Sequence, residues 1–408
     1  MQIRYNGVCS GLAEIKSSRW DTTSISMFSG EIREHHFAMK KTMSLAAFLC
    51  LLFVLSIHAD EVRVEISADT SETVENILRD FYNKYSLPGG ISMAISYREK
   101  LVYAGAIGYA DKEHKIPLTP EHRMRIASLS KPITSIAVMK LVEEKKLNLN
   151  DEVFGSTGIF GGEYGVPVYE NCPVKITVKQ LLEHTAGGWG NSRRDPMFSI
   201  RNAAGDEFIR TVIKEYPLEN SPGTKYDYSN FGYCVLGRVI EKKSGMTYEN
   251  YVKKHVLTPC GISGMRIGGK TSEPDEVEYI DSSGQNPYLL SPAHMDAHGG
   301  WVANPIELLK LLVRVDGFSN VPDILESETI KTMTTPSEQN DGYALGWSVN
   351  RSNNWWHTGS LPGTATEMAR SSAGYNWVIL VNFRPSAAPD FFGDLDRLFW
   401  TIKETVQE

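Results

Sequence analysis

Apolar positions follow two different periods along this chain, and the changes between them divide the sequence into three parts. Between residues 71 and 85, Val74, Ile77, Leu78, Phe81 and Tyr85 recur every three or four positions, the spacing of one helix face, and Pro88-Gly89-Gly90 ends the run. Residues 91–97 and 101–109 follow as two strand-like stretches, joined by a polar turn at Arg98-Glu99-Lys100. Helical spacing returns over 128–144 through Ile133, Ile136, Ala137, Met139, Leu141 and Val142, with Pro132 in the first turn, where its missing N–H costs nothing. Thr177-Val178-Lys179-Gln180 has capping-box spacing and opens a helix that runs to His184, before Ala186-Gly187-Gly188. Asn304-Pro305-Ile306-Glu307 repeats the device with proline just inside. From about 150 to 330 the pattern is helix and long loop.

The last eighty or so residues change period again. Residues 343–349, 355–359, 364–370 and 377–383 read as strands, and 391–402 as an amphipathic helix through Phe391, Leu395, Leu398, Phe399 and Ile402. Strands at both ends with helices between them predict an α/β (α+β) fold, its one sheet built from both chain ends around a mostly helical insertion. No repeat or low-complexity linker interrupts residues 60–408, which read as one domain.

The first sixty residues follow neither period. Lys40-Lys41 precedes an apolar run at 45–57, followed by His58-Ala59-Asp60, the parts of a secretory signal peptide at 39–59. The run falls short of the roughly 20 residues a spanning helix needs, which disfavours the competing reading of a signal anchor with a cytoplasmic tail. Met39 opens a conventional leader, so residues 1–38 read as an extension ahead of the true start, and the mature protein is expected to be secreted and extracellular.

Composition narrows the classes further. With 41% hydrophobic and 22% charged residues the chain can bury a large core. The net charge is −7; without residues 1–59, 36 basic residues (42 less 6) stand against 45 acidic ones (49 less 4), a net of −9. No basic stripe is present, which excludes a nucleic-acid partner. Cys9 and Cys50 fall in the leading segment, leaving Cys172, Cys234 and Cys260, which allow at most one internal disulfide and lack zinc-site spacing. Asn350-Arg351-Ser352 is an N-glycosylation acceptor sequence, or an unmodified turn.

The candidate chemistry begins at Ser128-Leu129-Ser130-Lys131, where a helix opens. Serine and lysine three apart share a helix face. A serine hydroxyl needs a base to become a nucleophile, and a desolvated lysine with a lowered pKa can supply one. Taken alone, Ser128 also reads as a helix cap, Tyr228 and Tyr233 as core aromatics, Asn230 as the cap of a helix, and His184 as a buried structural histidine. Gly299-Gly300 reads as a place where backbone approaches backbone near the site.

The order of the segments changes the weighing. Arg125-Ile126-Ala127-Ser128-Leu129-Ser130-Lys131 is followed by Leu181-Leu182-Glu183-His184-Thr185-Ala186-Gly187, Tyr228-Ser229-Asn230, Gly299-Gly300-Trp301 and His357-Thr358-Gly359. From about residue 72 to 405 this series resembles the serine β-lactamase-related family, which includes class C β-lactamases, D-alanyl-D-alanine carboxypeptidases, D-aminopeptidases, esterases and secreted animal β-lactamase-like proteins. The resemblance implies a β-lactamase/penicillin-binding-protein-like fold and an acyl-enzyme on Ser128. Lys131 would take or relay its proton, and Tyr228 would act as base and protonate the leaving group. Asn230 would bind Lys131 or the substrate amide, and the backbone N–H groups of Ser128 and Ser360 would form the oxyanion hole. His357 stands where penicillin-recognising members usually carry lysine. An imidazole is mostly uncharged at neutral pH, so recognition of a substrate carboxylate is expected to be weak.

Two readings follow. One is a secreted serine hydrolase acting on a small-molecule, peptide or ester substrate, without cofactor or metal. The other is an extracellular structural protein with the same fold, associated with a matrix such as that of calcified shell. A self-assembling scaffold like the family's mitochondrial animal member fits the export-type leader less well.

Overall fold

The structure, a computed structural model, describes residues 68–200 and 204–406. The predicted leader at 39–59, the extension 1–38, Cys9 and Cys50 lie outside the described residues. Helix α1 (Ala68–Lys84) leads into the hairpin β1 (Gly90–Tyr97) and β2 (Lys100–Asp111), with β3 (Ile116–Pro117) at the edge. The short β4 (Met124–Arg125) and a 3-10 turn over Ala127–Leu129 open into α2 (Ser130–Glu143).

The insertion then runs through the small hairpin β5 (Val168–Tyr169) and β6 (Cys172–Pro173), and helices α3 (Val178–Leu182), α4 (Asn191–Arg194), α5 (Pro196–Ser199), α6 (Gly205–Glu215), α7 (Asn230–Ser244) and α8 (Tyr248–Val252). Strands β7 (Arg266–Ile267) and β8 (Ile280–Asp281) precede α9 (Pro292–Gly299), β9 (Trp301–Ala303), α10 (Pro305–Val313) and α11 (Ser327–Thr334). Both predicted capping boxes form, at Thr177 with Gln180 and at Asn304 with Glu307.

The carboxy-terminal part supplies β10 (Ser348–Val349), β11 (Trp355–Leu361), β12 (Thr364–Ser371), β13 (Tyr375–Val381), β14 (Phe383–Arg384) and α12 (Phe391–Val406). The main sheet is seven-stranded in the order β10-β11-β12-β13-β1-β2-β3, each neighbouring pair antiparallel. The two chain ends meet where β1 pairs β13, from Ile91 opposite Val381 to Tyr97 opposite Tyr375. The α+β architecture read from the sequence is the one the chain adopts.

Each face of the sheet is covered. Val74, Leu78 and Phe81 of α1 and Phe391, Leu395 and Phe399 of α12 pack on Met93, Ile95, Trp377 and Ile379, with the Trp377 and Phe399 rings stacked at 3.8 Å. Val378 and Leu380 point the other way, into the core shared with α2, α7 and α10. Burial on both faces explains why β12 and β13 have no exposed side chain, although antiparallel sheets usually wet one face.

Two expectations are corrected here. Of residues 343–349, only Ser348–Val349 form a strand. Gly346 at φ +83° turns the chain inward, so that Leu345 O accepts from Ser135 Oγ of α2 at 2.5 Å. And the helix expected from Ser128 opens at Ser130, after the 3-10 turn that holds Ser128, with Ser130 to Met139 buried without a break, polar residues included. The three described cysteines are unpaired, Cys234 and Cys260 buried and Cys172 exposed.

Candidate active site

Ser128 sits in the tight turn that joins β4 to α2. Ala127, just before it, is left-handed at φ +50°, a conformation that costs a non-glycine residue about 1–3 kcal/mol and persists only when its surroundings enforce it. The enforcement comes from β11 and β12. Gly359 lies so close that a Cβ there would fall 2.5 Å from Ile126 O, and Thr366 Oγ1 donates to that same carbonyl at 3.0 Å. Gly359 and Ser360 are thereby held beside Ala127 and Ser128, with the Ser360 side chain exposed.

One helical turn on, Lys131 is fully buried, and its Nζ lies 3.1 Å from Ser128 Oγ. The same nitrogen donates to Asn230 Oδ1 at 2.7 Å and to His298 O at 3.0 Å. Burial drives the lysine pKa down to about 7, against the pull of the Asp195 carboxylate. A neutral amine would spend its two N–H bonds on Asn230 and His298 O and turn its lone pair to the serine.

Tyr228 completes the group. Its phenol hydrogen-bonds Ser128, and its ring centroid is 4.7 Å from Lys131 Nζ. Burial raises its pKa well above that of an ordinary phenol, so this tyrosine stays protonated at neutral pH. His184 grips both sides of it: Asp227 N–H donates to His184 O at 2.8 Å and Ser229 N–H to His184 Nδ1 at 3.0 Å. His184 is itself left-handed at φ +59° and buried.

The cap of α7 is Ser229, whose Oγ accepts from Gly232 N–H, rather than Asn230. Asn230 is thus free to use its amide in the site. Its Oδ1 faces Lys131 and its Nδ2 donates to Asp195 Oδ2 at 2.6 Å, which fixes the orientation of the amide. Asp195 held no place in the sequence motifs, and only its cap position ahead of Pro196 hinted at a role.

His357 lies beneath this group and not on its surface. Its Nδ1 is 2.7 Å from Thr358 O and its Nε2 is 3.2 Å from Tyr343 Oη. Burial first, then Lys131, lowers its pKa to about 3, so the imidazole is neutral. Tyr343, which the sequence places only at the start of an expected strand, also stands 3.2 Å from His184 Nε2. Of the glycine pair, Gly299 passes Ala127 at ordinary contact distance, whereas a Cβ on Gly300 would strike Pro292 O and Asp296 N of α9. Asn350 is exposed in the turn between β10 and β11. Among the described residues, no group of three or more His, Cys, Asp or Glu side chains could hold a metal ion, and no helix is long and apolar enough to cross a membrane.

Similarity to known proteins extends over most of the chain. The β-lactamase family model matches residues 74–398. Protein flp of Staphylococcus aureus is 24% identical over 335 residues, covering 79% of this chain. Penicillin-binding protein 4* of Bacillus subtilis is 26% identical over 300 residues and covers 66% of it. The chain spans 65% and 62% of the length of these two relatives. Among solved structures, D-amino acid amidase from Ochrobactrum anthropi superposes with a TM-score of 0.66 at 20% identity, covering 83% of this chain and 99% of that one. The octameric penicillin-binding protein homologue from Pyrococcus abyssi does so at 0.61 and 27%, covering 76% and 73%.

Proposed function

The chain belongs to the β-lactamase family, and from that premise we propose that it is a secreted serine hydrolase that cleaves an amide or ester through an acyl-enzyme on Ser128. The observation that carries this reading is the buried lysine nitrogen 3.1 Å from the serine oxygen, its pKa drawn down to about 7. A base poised near the working pH combines a useful population of the free amine with a real drive to take a proton.

In the acylation step Ser128 Oγ bonds to the acyl carbon while its proton passes to Lys131 Nζ. The substrate oxygen gains negative charge beside the backbone N–H groups of Ser128 and Ser360, the kind of donor pair whose loss costs about 10²–10³ in rate. Tyr228, kept protonated by burial, hands its proton to the leaving nitrogen or oxygen and is reprotonated from Lys131. Water then attacks the acyl carbon, the acid is released, and Oγ regains its hydrogen.

The substrate class follows from charge. Lys131 is committed to proton transfer and His357 is neutral, so neither supplies a fixed cation for a carboxylate. An amide or ester that is uncharged next to the scissile bond suits this site better than a β-lactam or a peptide ending in free D-alanine. The D-amino acid amidase likeness supports the amide half of this reading.

A fluorophosphonate probe tests the activity. Secreted protein is expected to be labelled at Ser128, with labelling abolished in Ser128→Ala and sharply reduced in Lys131→Ala. Folded wild-type protein that takes up no probe would point instead to a non-catalytic extracellular role, such as matrix association. Secretion is read separately, by a mature amino terminus near Asp60 and by an endoglycosidase-sensitive mass on Asn350 that is lost in Asn350→Gln. An amino terminus that retains Leu45 would contradict cleavage of the leader.

A further inference from the structure

We propose that Tyr343 is a positioning residue of this site, its one phenolic oxygen tying His184, which holds the Tyr228 segment, to His357 on the strand that carries Ser360. The inference rests on the hydrolase reading, since it assigns Tyr343 a part in aligning that machinery.

The directions of the hydrogen bonds follow from the partners. Ser229 N–H can only donate, so His184 Nδ1 accepts, and the proton of that neutral ring is on Nε2. Nε2–H donates to Tyr343 Oη at 3.2 Å. Thr358 O can only accept, so His357 carries its proton on Nδ1. Its Nε2 then accepts the Tyr343 hydroxyl proton, again at 3.2 Å. The chain Ser229 N–H, His184, Tyr343, His357, Thr358 O uses each ring once as donor and once as acceptor, and the hydroxyl at its centre also meets Tyr233, whose own proton goes to Leu182 O.

Nothing else among the residues described at this place performs the same task. His184 belongs to the insertion and fixes Tyr228 on both sides through Asp227 and Ser229. His357 belongs to β11, two residues before Gly359, which presses on the Ile126–Ala127 turn. The catalytic serine and tyrosine therefore sit on different parts of the fold, and Tyr343 spans them from a third segment, with 3% of its surface exposed. Its ring lies 5.0 Å from that of His184 and 6.0 Å from that of His357. A phenylalanine would keep this packing and lose the hydrogen bonds of the hydroxyl, those to the two imidazoles and the one to Tyr233. Small misplacements of reacting groups cost on the order of 10²-fold in rate.

The experiment compares wild type with Tyr343→Phe in two measurements. In probe labelling, the variant is expected to lose about 10²-fold in the maximal rate of Ser128 modification, with little change in half-saturating probe concentration and a melting temperature close to wild type. In ¹⁵N-histidine spectra at pH 7, wild type is expected to show a neutral Nε2–H His184 and a neutral Nδ1–H His357, with the Nε2 signals of both shifted in the variant. Wild-type protein that labels while Tyr343→Phe labels equally fast would overturn the inference and leave the hydrolase reading intact. An Nε2–H or cationic His357 in wild type would also overturn it, even if the variant failed to fold. Wild-type protein that is not labelled at all would overturn the hydrolase reading first, and this inference with it.

Discussion

Lys131 Nζ stands 3.1 Å from Ser128 Oγ with no solvent access to the lysine, and its two other partners, Asn230 Oδ1 and His298 O, can only accept protons. The amine therefore has one direction left, and it points at the serine. The pKa depression acts against the charged form: below about 7 Lys131 is an ammonium and cannot take a proton, and above it the free amine prevails. Ser128 labelling should rise about tenfold per pH unit below 7 and level off above about 8. Lys131→Arg should abolish the rise and lower the plateau by at least about 10²-fold, because a guanidinium does not deprotonate in a protein. A flat profile between pH 6 and 8 in wild type would remove Lys131 as the base.

Asp195 acts on that amine through Asn230. Its carboxylate accepts the Asn230 Nδ2–H and so keeps Oδ1 turned to Lys131, while its charge favours the lysine's protonated form. Asp195→Ala should cost about tenfold in labelling rate through a looser Asn230, the lower end of what loss of a supporting partner costs at a site. It should also move the midpoint of the pH profile down. Asp195→Asn keeps an acceptor and should recover most of the rate while retaining the lowered midpoint. Equal rates in both variants would separate Asp195 from the orientation of Asn230.

How much of this was legible in the sequence depends on whether a contact is local. The capping boxes at Thr177 and Asn304, the Ser128–Lys131 spacing and the amphipathic terminal helices rest on neighbours within one or two turns, and each could be read directly. The strand period failed at 343–349 because Tyr343, Leu345 and Trp347 are buried at alternate positions, as in a strand, in a turn whose Gly346 lies against α2 and α7. Asn230 misled in a similar way, since Ser229 beside it is an equally good cap and took the role. Neither Tyr343 nor Asp195 could be assigned to the site. Their partners are 159 and 14 residues away for the tyrosine and 35 for the aspartate, and no periodicity links them.

Glu367 offers a test on the opposite face of the sheet. It is wholly buried beneath the terminal helices, accepts from Trp377 Nε1 at 2.8 Å through one oxygen, and has no hydrogen-bond partner on the other among the described residues. Burial raises its pKa from 4.5 to about 8. The folded state thus holds a proton that the unfolded chain releases above about 4.5, so the stability is full below that value and falls as pH rises to about 8. Glu367→Gln keeps the acceptor and has no proton to lose. Across pH 5 to 8 the variant should gain on wild type by on the order of 3 kcal/mol, as seen by chemical denaturation. Parallel stability curves would show that Glu367 is ionised in the fold.

Gly359 joins the architecture to the chemistry most directly. A side chain at this position has no room: its Cβ would strike Thr366 Oγ1, lie 2.5 Å from Ile126 O, and reach 3.1 Å from the Ala127 Cβ. Thr366 cannot yield without giving up its hydrogen bond to Ile126 O at 3.0 Å, and Ile126 cannot yield without relaxing the left-handed Ala127. Gly359→Ala should therefore push β11 away from the nucleophile turn. Overpacking of this kind costs about 1–3 kcal/mol in stability, and a displaced Ser360 N–H would weaken the oxyanion contact by up to about 10²–10³ in rate. The informative comparison is Gly363→Ala at the β11–β12 turn, where φ is +78° and a Cβ would meet Tyr279 and Pro287 away from Ser128. Both variants should lose stability, but only Gly359→Ala should lose labelling out of proportion to that loss. If the two lose labelling alike, strain in the hairpin and not the approach of β11 to Ala127 sets the reactivity of the serine.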